Sequence, residues 1–359
     1  MPDQQKISSS LIHNFGRKNL VHNGAMYIDQ RNRGAAVTPA NATAVFGPDR
    51  FYMYKDTAAT FTIDQDTDSP DGFKHSLKVT NTGTDSSISA TDRALIVHRI
   101  EGQDIIHLGL GTSSAATVTL SFYVRSSITG THGGALRNHD SSQRNYPFTY
   151  TISSANTWER KTLTITLDTS GTWPSDNTVG LQIQFGLGVG STFSGTAGAW
   201  ADGDKNSATG ATTGMLSTSS ATWYVTGIQL EVGDTATDFE HKSYADYEWD
   251  CQRYYHAVKE GSGAYMIFTT GRAWGTGGAN GPYKFPRVMR ATPTMTAGGA
   301  AGDYDFGISA VPSSGSVTLN NDMMVINVSG SFTVGQIIVI GSNADGSGPA
   351  ELKFDAELD

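Results

Sequence analysis

The chain predicts an all-β protein: an antiparallel β-sandwich, then a short helical linker, then a smaller β-module. Three observations carry this. Runs of strand length recur from end to end with period-two alternation, helical periodicity is almost absent, and Gly, Asn, Asp and Ser punctuate the runs. Charged residues are only 16 % of the 359, and Gly contributes 41. Low charge with many Thr, Tyr, Val and Ile suits half-buried pleated strands, and the glycines supply turns. The length is too great for one ordinary core but comfortable for a large sandwich plus a second domain.

The elements follow in order. Residues 1–18 read as a polar arm in which Ile7, Leu11, Ile12 and Phe15 are candidate anchors, although a frayed terminus would share that composition. Residues 19–240 carry the sandwich, with strands expected at 61–63, 76–80 and 94–100. In 118–125, Val118, Leu120, Phe122 and Val124 share one face, and 148–152 follows. In 161–167 Leu and Ile alternate with Thr; 181–187 repeats the pattern, and 223–232 closes the set. Two stretches, 128–147 and 190–220, read as long insertions, the kind of loop that is functional or forms an interface.

Residues 241–258 form the linker. Tyr247, Cys251, Tyr254 and Val258, spaced four, three and four apart, predict the inner face of a short helix, with Cys251 as a small buried hydrophobe. Residues 259–359 form the second module, with strands expected at 264–268, 283–285, 322–328, 336–340 and 350–358. A module of this size needs a partner or a second copy to cover both faces.

Composition also bounds function. The formal charge is −9, with no basic block beyond the short Arg31-Asn32-Arg33 loop, which speaks against nucleic acid. No run reaches the ~20 apolar residues of a membrane span. Residues 1–20 lack the apolar core of a signal peptide, so the expectation is synthesis in the cytoplasm without export. The single cysteine excludes an intrachain disulfide.

Catalytic patterns are weak throughout. Asp64, Asp66 and Asp68 invite a glycosidase reading but suit an exposed turn beside Pro70-Asp71-Gly72 better. His132, His139 and Asp140 match no zinc spacing and read as a solvated loop. Gly109-Leu110-Gly111 is too short for a nucleotide loop, and no Gly-x-Ser-x-Gly elbow occurs. A non-enzyme without cofactor is expected. Sugar binding uses flat aromatic faces beside fixed polar groups, so the aromatics in loop-like contexts are the candidate glycan or receptor contacts. These are Tyr146, Trp173 and Trp200, the last followed by Asp202 and Asp204, together with Trp274 and Tyr283 flanking the Gly-rich turn 275–281. Trp158 and Trp223 sit at strand edges and read as core or rim.

Several motifs carry a family resemblance. Asn19-Leu20-Val21-His22-Asn23-Gly24, Lys74-His75-Ser76-Leu77-Lys78-Val79, Leu120-Ser121-Phe122-Tyr123-Val124-Arg125-Ser126 and Trp158-Glu159-Arg160-Lys161-Thr162-Leu163 resemble, in that order, the jelly rolls of carbohydrate-binding modules. The junction Gly227-Ile228-Gln229-Leu230-Glu231-Val232-Gly233, then Phe239-Glu240-His241-Lys242-Ser243-Tyr244 and Cys251-Gln252-Arg253-Tyr254-Tyr255, resembles that of bacteriophage tail-fibre and other virion structural proteins. Phe285-Pro286-Arg287-Val288-Met289-Arg290-Ala291-Thr292-Pro293 resembles their second module.

The resemblance implies an antiparallel jelly-roll β-sandwich, a short helical linker and a smaller C-terminal β-sandwich. It further implies a virion protein, most simply a homotrimeric tail fibre for host attachment. Its arm would hold other virion proteins, and its loops would meet a cell-surface glycan or receptor. A head fibre or capsid decoration protein, and the carbohydrate-binding module of a secreted polysaccharide-active protein, are the alternatives. Many such jelly rolls hold a structural calcium through a closing-strand carboxylate. Here Thr226 stands at the corresponding position, which speaks against the ion, and no ligands are assigned.

Overall fold

The computed structural model describes residues 18–139, 143–259, 267–298, 304–305, 314–329, 333–335, 337–342 and 351–358. Ile7, Leu11, Ile12, Phe15 and Asp140 lie outside them. The chain is all-β and divides into two compact units between Tyr247 and Glu248, with Leu358 grouped with the first.

The first unit contains β1 (Val45–Phe46), β2 (Phe51–Asp56), β3 (Thr60–Asp66), β4 (Ser76–Gly83), β5 (Arg93–Glu101), β6 (Thr117–Ser126) and β7 (Gly130–Arg137). It continues with β8 (Asn145–Ile152), β9 (Glu159–Thr166), β10 (Val179–Val189), β11 (Ser194–Gly195), β12 (Ser207–Ala208) and β13 (Thr222–Val232). One sheet runs β1-β2-β5-β10-β7-β8 and the other β3-β4-β13-β6-β9, with antiparallel neighbours throughout. Their inner faces meet as one core. Met53, Ile96, Ile183 and Phe185 from the first sheet pack with Phe61, Val79, Phe122 and Val225 from the second, all essentially unexposed. Phe122 lies edge-on to Phe185 at 5.0 Å and to Tyr150 at 5.2 Å, the favoured geometry for aromatic quadrupoles. Trp223 is fully buried and satisfies its indole N–H on the Tyr150 hydroxyl at 3.2 Å, which places it in the core.

Asn19 to Gly24 shows why such a motif takes those residues. The Asn19 amide donates to the Ile228 carbonyl at 3.0 Å, and its oxygen accepts the Val21 and Leu230 amides. Asn23, in the left-handed region at φ 55°, donates to the carbonyls of Ile28 and Asp49. A Cβ on Gly24 would stand 2.1 Å from the Ile228 carbonyl oxygen, so no side chain fits. The opening segment is thereby fastened to the closing strand.

Every first-unit strand expected from patterning is present, but the expected insertion at 128–147 holds β7 and the start of β8. β7 escapes notice because it reads Gly-Thr-His-Gly-Gly-Ala-Leu-Arg, with little apolar alternation. Its glycines are close-approach sites: a Cβ on Gly134 would lie 2.3 Å from the Gln184 carbonyl oxygen and 2.5 Å from the Phe148 ring. His132 is consequently not in a solvated loop. It is 1 % exposed, stacks on Tyr150 at 5.6 Å and has Nε2 3.0 Å from the Ile128 carbonyl. Asp64 and Asp66 likewise belong to β3 rather than to an exposed turn. Asp66 accepts from Lys78 at 2.8 Å, while Asp68 takes the Trp158 indole N–H and pairs with Arg125.

The helix Tyr244–Gln252 buries Tyr247 and Cys251 but ends before Tyr254 and Val258. The second unit begins within it, and its first strand already occupies part of the expected linker. Its strands are β14 (Tyr255–Lys259), β15 (Ile267–Gly275), β16 (Gly278–Lys284), β17 (Thr294–Gly298), β18 (Tyr304–Asp305), β19 (Ser314–Leu319), β20 (Met323–Ser329), β21 (Ile337–Ser342) and β22 (Glu351–Asp355). They form a three-stranded sheet, β14-β22-β17, and a six-stranded one, β18-β21-β15-β16-β20-β19. Ala273, Ala279, Phe285, Met289, Met324, Leu352 and Phe354 make its core.

Candidate functional site

In the six-stranded sheet of the first unit, one side of each strand enters the core and the other forms an outer face. Register aligns that outer face into rows. Arg99, Gln182, Arg137 and Asn145 are successive partners across β5, β10, β7 and β8. Tyr52, Val97, Gln184, Ala135 and Pro147 form the next row, from β2 to β8, and Tyr54, Leu95, Gly186, Gly133 and Thr149 the third. Small residues in the third row admit the excursion after β10: a Cβ on Gly133 would meet the Ser207 hydroxyl at 2.3 Å. That excursion carries Asp204 and Asn206 over the sheet.

The result is a groove of about 320 Å³ lined by Tyr52, Tyr54, Arg93, Arg137, Gln184 and Asp204, with Leu95 and Val97 in its floor. Its polar groups are chained. Gln184 donates to Gln182 at 2.7 Å, and Asn206 donates to Gln184 at 3.2 Å and to Asp204 at 3.0 Å. Asp204 bridges Arg137 at 2.7 Å and Arg93 at 3.3 Å. Gln182, Gln184 and Asn206 are 3 % exposed or less, so these side chains are held in place before any ligand arrives. Arg93 lies 4.0 Å from the Phe193 ring centre and 5.0 Å from that of Tyr54, and Arg99 lies 4.9 Å from that of Tyr52.

Burial holds the Arg137 guanidinium below its ordinary range; Asp204 opposes this, and Arg93 and Arg99 add repulsion. Burial also lowers His139, and Arg99 and Arg137 push it further, so its ring is neutral at pH 7. Aromatic rings, amides and guanidinium groups on an apolar floor suit a hydroxylated, ring-shaped ligand.

The aromatics nominated by sequence fall elsewhere. Tyr146 pairs with Leu136, a core residue, and so belongs to the opposite side of the sheet from the groove. Tyr146, Trp173 and Trp200 do come together: Trp200 lies 5.4 Å from Tyr146 and 5.6 Å from Trp173. Tyr146 and Trp200 line a second cavity of about 490 Å³ at the sandwich edge, with Arg144, Thr166 and Asp168. Arg144 grips Asp168 through two nitrogens, at 2.5 and 3.0 Å, which raises its pKa further. Trp200 donates to the Thr166 carbonyl at 2.8 Å, and Ala201 exchanges both backbone hydrogen bonds with Asn145. The segment thus covers edge strands β8 and β9, and Trp200 has a structural task there.

In the second unit, Trp274 is 67 % exposed beside the tight turn between β15 and β16. The Gly-rich run 275–281 is therefore largely strand, not a broad tip loop. Tyr283 turns inward: its hydroxyl lies 2.8 Å from His256 Nε2, its ring stacks with His256 and Phe354, and burial pushes its pKa up to about 12.

Thr226 is fully buried, its hydroxyl offers a single neutral oxygen, and no group of three His, Cys, Asp or Glu side chains suited to a metal occurs among the described residues. No described helix is long and apolar enough to cross a membrane.

No family model matches the sequence, and no curated protein matches it. Among solved structures, 60 % of the chain aligns with the enzymatically active domain of bacteriophage CBA120 tailspike protein 4 at 13 % identity and TM-score 0.31. The alignment spans only 21 % of that protein's length. A CBM4 carbohydrate-binding module aligns over 59 % of this chain and 99 % of its own, at 15 % identity and TM-score 0.29. The family 11 carbohydrate-binding module of Clostridium thermocellum, in complex with a mixed-linked tetrasaccharide, aligns over 57 % and 98 %, at 12 % identity and TM-score 0.28.

Proposed function

We propose that the chain is a non-enzymatic phage virion protein, a homotrimeric tail fibre that attaches to cell-surface glycans through the outer-face groove. The observation that carries glycan binding is the pre-ordered set Tyr52, Tyr54, Gln182, Gln184, Arg93 and Arg137, fixed by cross-strand register and by the Asp204–Asn206 wall. A site organised in advance spares the ligand the cost of ordering side chains. The virion role rests on the junction from Gly227 to Tyr255, whose sequence resembles that of phage appendage proteins. Neither reading requires a cofactor or a calcium ion.

Binding is tested by titrating the full chain with a glycan panel beside Tyr54→Ala. The substitution removes a ring from the groove and from the small cluster of Tyr52, Leu95 and Val97 but none from the core between the sheets, so melting falls little while affinity falls about tenfold. Unchanged affinity removes the groove from the function. The virion role is tested by immunogold labelling and native mass: label at the tail and a trimer are expected, while label on the head or a monomer at about micromolar concentration refutes it.

A further inference from the structure

The chain is acidic, with a formal charge of −9, yet its groove is cationic. Arg93, Arg99 and Arg137 line it, and among the described lining residues Asp204 is the one carboxylate that faces them. Asp204 is shared between Arg93 and Arg137, so among the described lining residues three guanidinium charges face one carboxylate. The Nε–H groups of Arg93 and Arg137 are buried with no partner among the described residues. Arg93 and Arg99 lay their faces on aromatic rings; Arg93 spends its edge on Asp204, Asn206 and the Tyr54 hydroxyl, and Arg99 gives Nη1 to the Leu358 carbonyl, so Nη2 of Arg99 is left for an in-plane acceptor among the described residues.

A neutral sugar would find its hydroxyl partners here in the Gln and Tyr side chains. It would offer nothing to offset clustered arginines that repel one another in a partly desolvated groove. A carboxylate would, because guanidinium edges match its two oxygens in geometry and charge. We propose that the groove is selective for acidic glycans, chains bearing uronic or other carboxylated sugars, with rings against Tyr52 and Tyr54 and the carboxylate taken by the arginines. The proposal rests on the groove being the glycan site.

The test presents the full chain with matched pairs: polygalacturonate and its methyl ester, alginate and its carboxyl-reduced product, and neutral glucan and xylan as references. The acidic member of at least one pair should bind about tenfold tighter than its neutral counterpart. That advantage should shrink in about 0.5 M NaCl. Arg99→Gln should erase the preference, with melting measured alongside. Equal binding of both members, binding of neutral members alone, or retention of no acidic polymer overturns the proposal. If neutral binding is lost in Tyr54→Ala, the groove survives and only its acid selectivity fails. If neither Tyr54→Ala nor Arg99→Gln alters any binding, the groove itself is refuted. Should Arg99→Gln fail to fold, the paired comparison on the unaltered chain still decides.

Discussion

Asp204→Asn isolates the negative charge that holds two of the groove's arginines. The carboxylate bridges Arg137 at 2.7 Å and Arg93 at 3.3 Å, and the side chains of Arg137, Arg93 and Asp204 are 8 %, 18 % and 32 % exposed. At an effective dielectric near 20, each pair is worth about 4 kcal/mol of gross attraction at ~4 Å charge separation. Desolvation and solvent screening return most of that. Breaking a buried pair costs about 3–5 kcal/mol, whereas exposed pairs measure about 0–1 kcal/mol. A carboxylate one-third exposed that holds a buried guanidinium falls between, near 2 kcal/mol. In a unit of this size that is a fall in Tm of about 4–8 °C. Asn keeps the shape and a carbonyl for Asn206, so no cavity contributes. The assay is urea denaturation at pH 7 followed by tryptophan fluorescence, to which Trp223 in the first core contributes; the midpoint should fall with the slope unchanged. A loss below about 0.5 kcal/mol would show that the arginines are solvated and would remove the basis for a cationic groove.

Three further outcomes follow from the same geometry. Gly24→Ala forces a Cβ against the Ile228 carbonyl, where both groups are backbone and neither can swing away, so a loss of about 3 kcal/mol is expected in thermal unfolding. Trp200→Phe removes the hydrogen bond to Thr166 and should cost about 1 kcal/mol while leaving groove affinity intact; a tenfold loss of binding would place the edge cavity in the glycan site. His256 has its pKa lowered by burial to about 4, between the rings of Tyr283 and Phe354. Its folded value lies below the unfolded one, so its contribution is complete above pH ~6.5 and is lost as pH falls towards 4, up to about 3 kcal/mol. Denaturation of the second unit between pH 7 and 4 checks this, and His256→Phe should flatten the dependence.

The sandwich is legible wherever one face of a strand is buried and the other is not. β6 and β9 alternate because Val118, Leu120, Phe122 and Ile165 enter the core while Thr and Tyr face away. β2 and β7 break that rule for opposite reasons. In β2, Tyr52 faces outward into the apolar part of the groove, so apolar residues run on both sides and the alternation vanishes. In β7, Gly133 replaces the expected outward side chain because a second layer at Ser207 lies against it, and Gly134 replaces the inward one because the Phe148 ring fills its place. Helical spacing at Tyr247 and Cys251 was equally legible, but its continuation through Tyr254 and Val258 was coincidental. Tyr254 is buried in the turn after the helix and Val258 packs on the second core from β14, and buried residues satisfy either period over so short a span.

The groove is the harder case, and the difficulty is physical. Sugar platforms are sought as exposed aromatics in loops, which leads to Tyr146, Trp173 and Trp200. Two of those indoles are already tied to backbone carbonyls, and the three rings pack on one another to cover a sheet edge. The groove instead draws four residues from β5, two each from β2 and β10 and one from β7, and its wall from an excursion some twenty residues beyond Gln184. Nothing local marks Arg99, Gln182 and Arg137 as neighbours, because their adjacency is a property of register and not of spacing. One signal was available: Gln182 and Gln184 sit at alternate positions of a strand whose other face is wholly apolar. A polar stripe there implies either water or an ordered covering layer. Their burial shows the latter, and a covering layer that carries Asp204 onto arginines is what turns a plain sheet face into a shaped, charged groove.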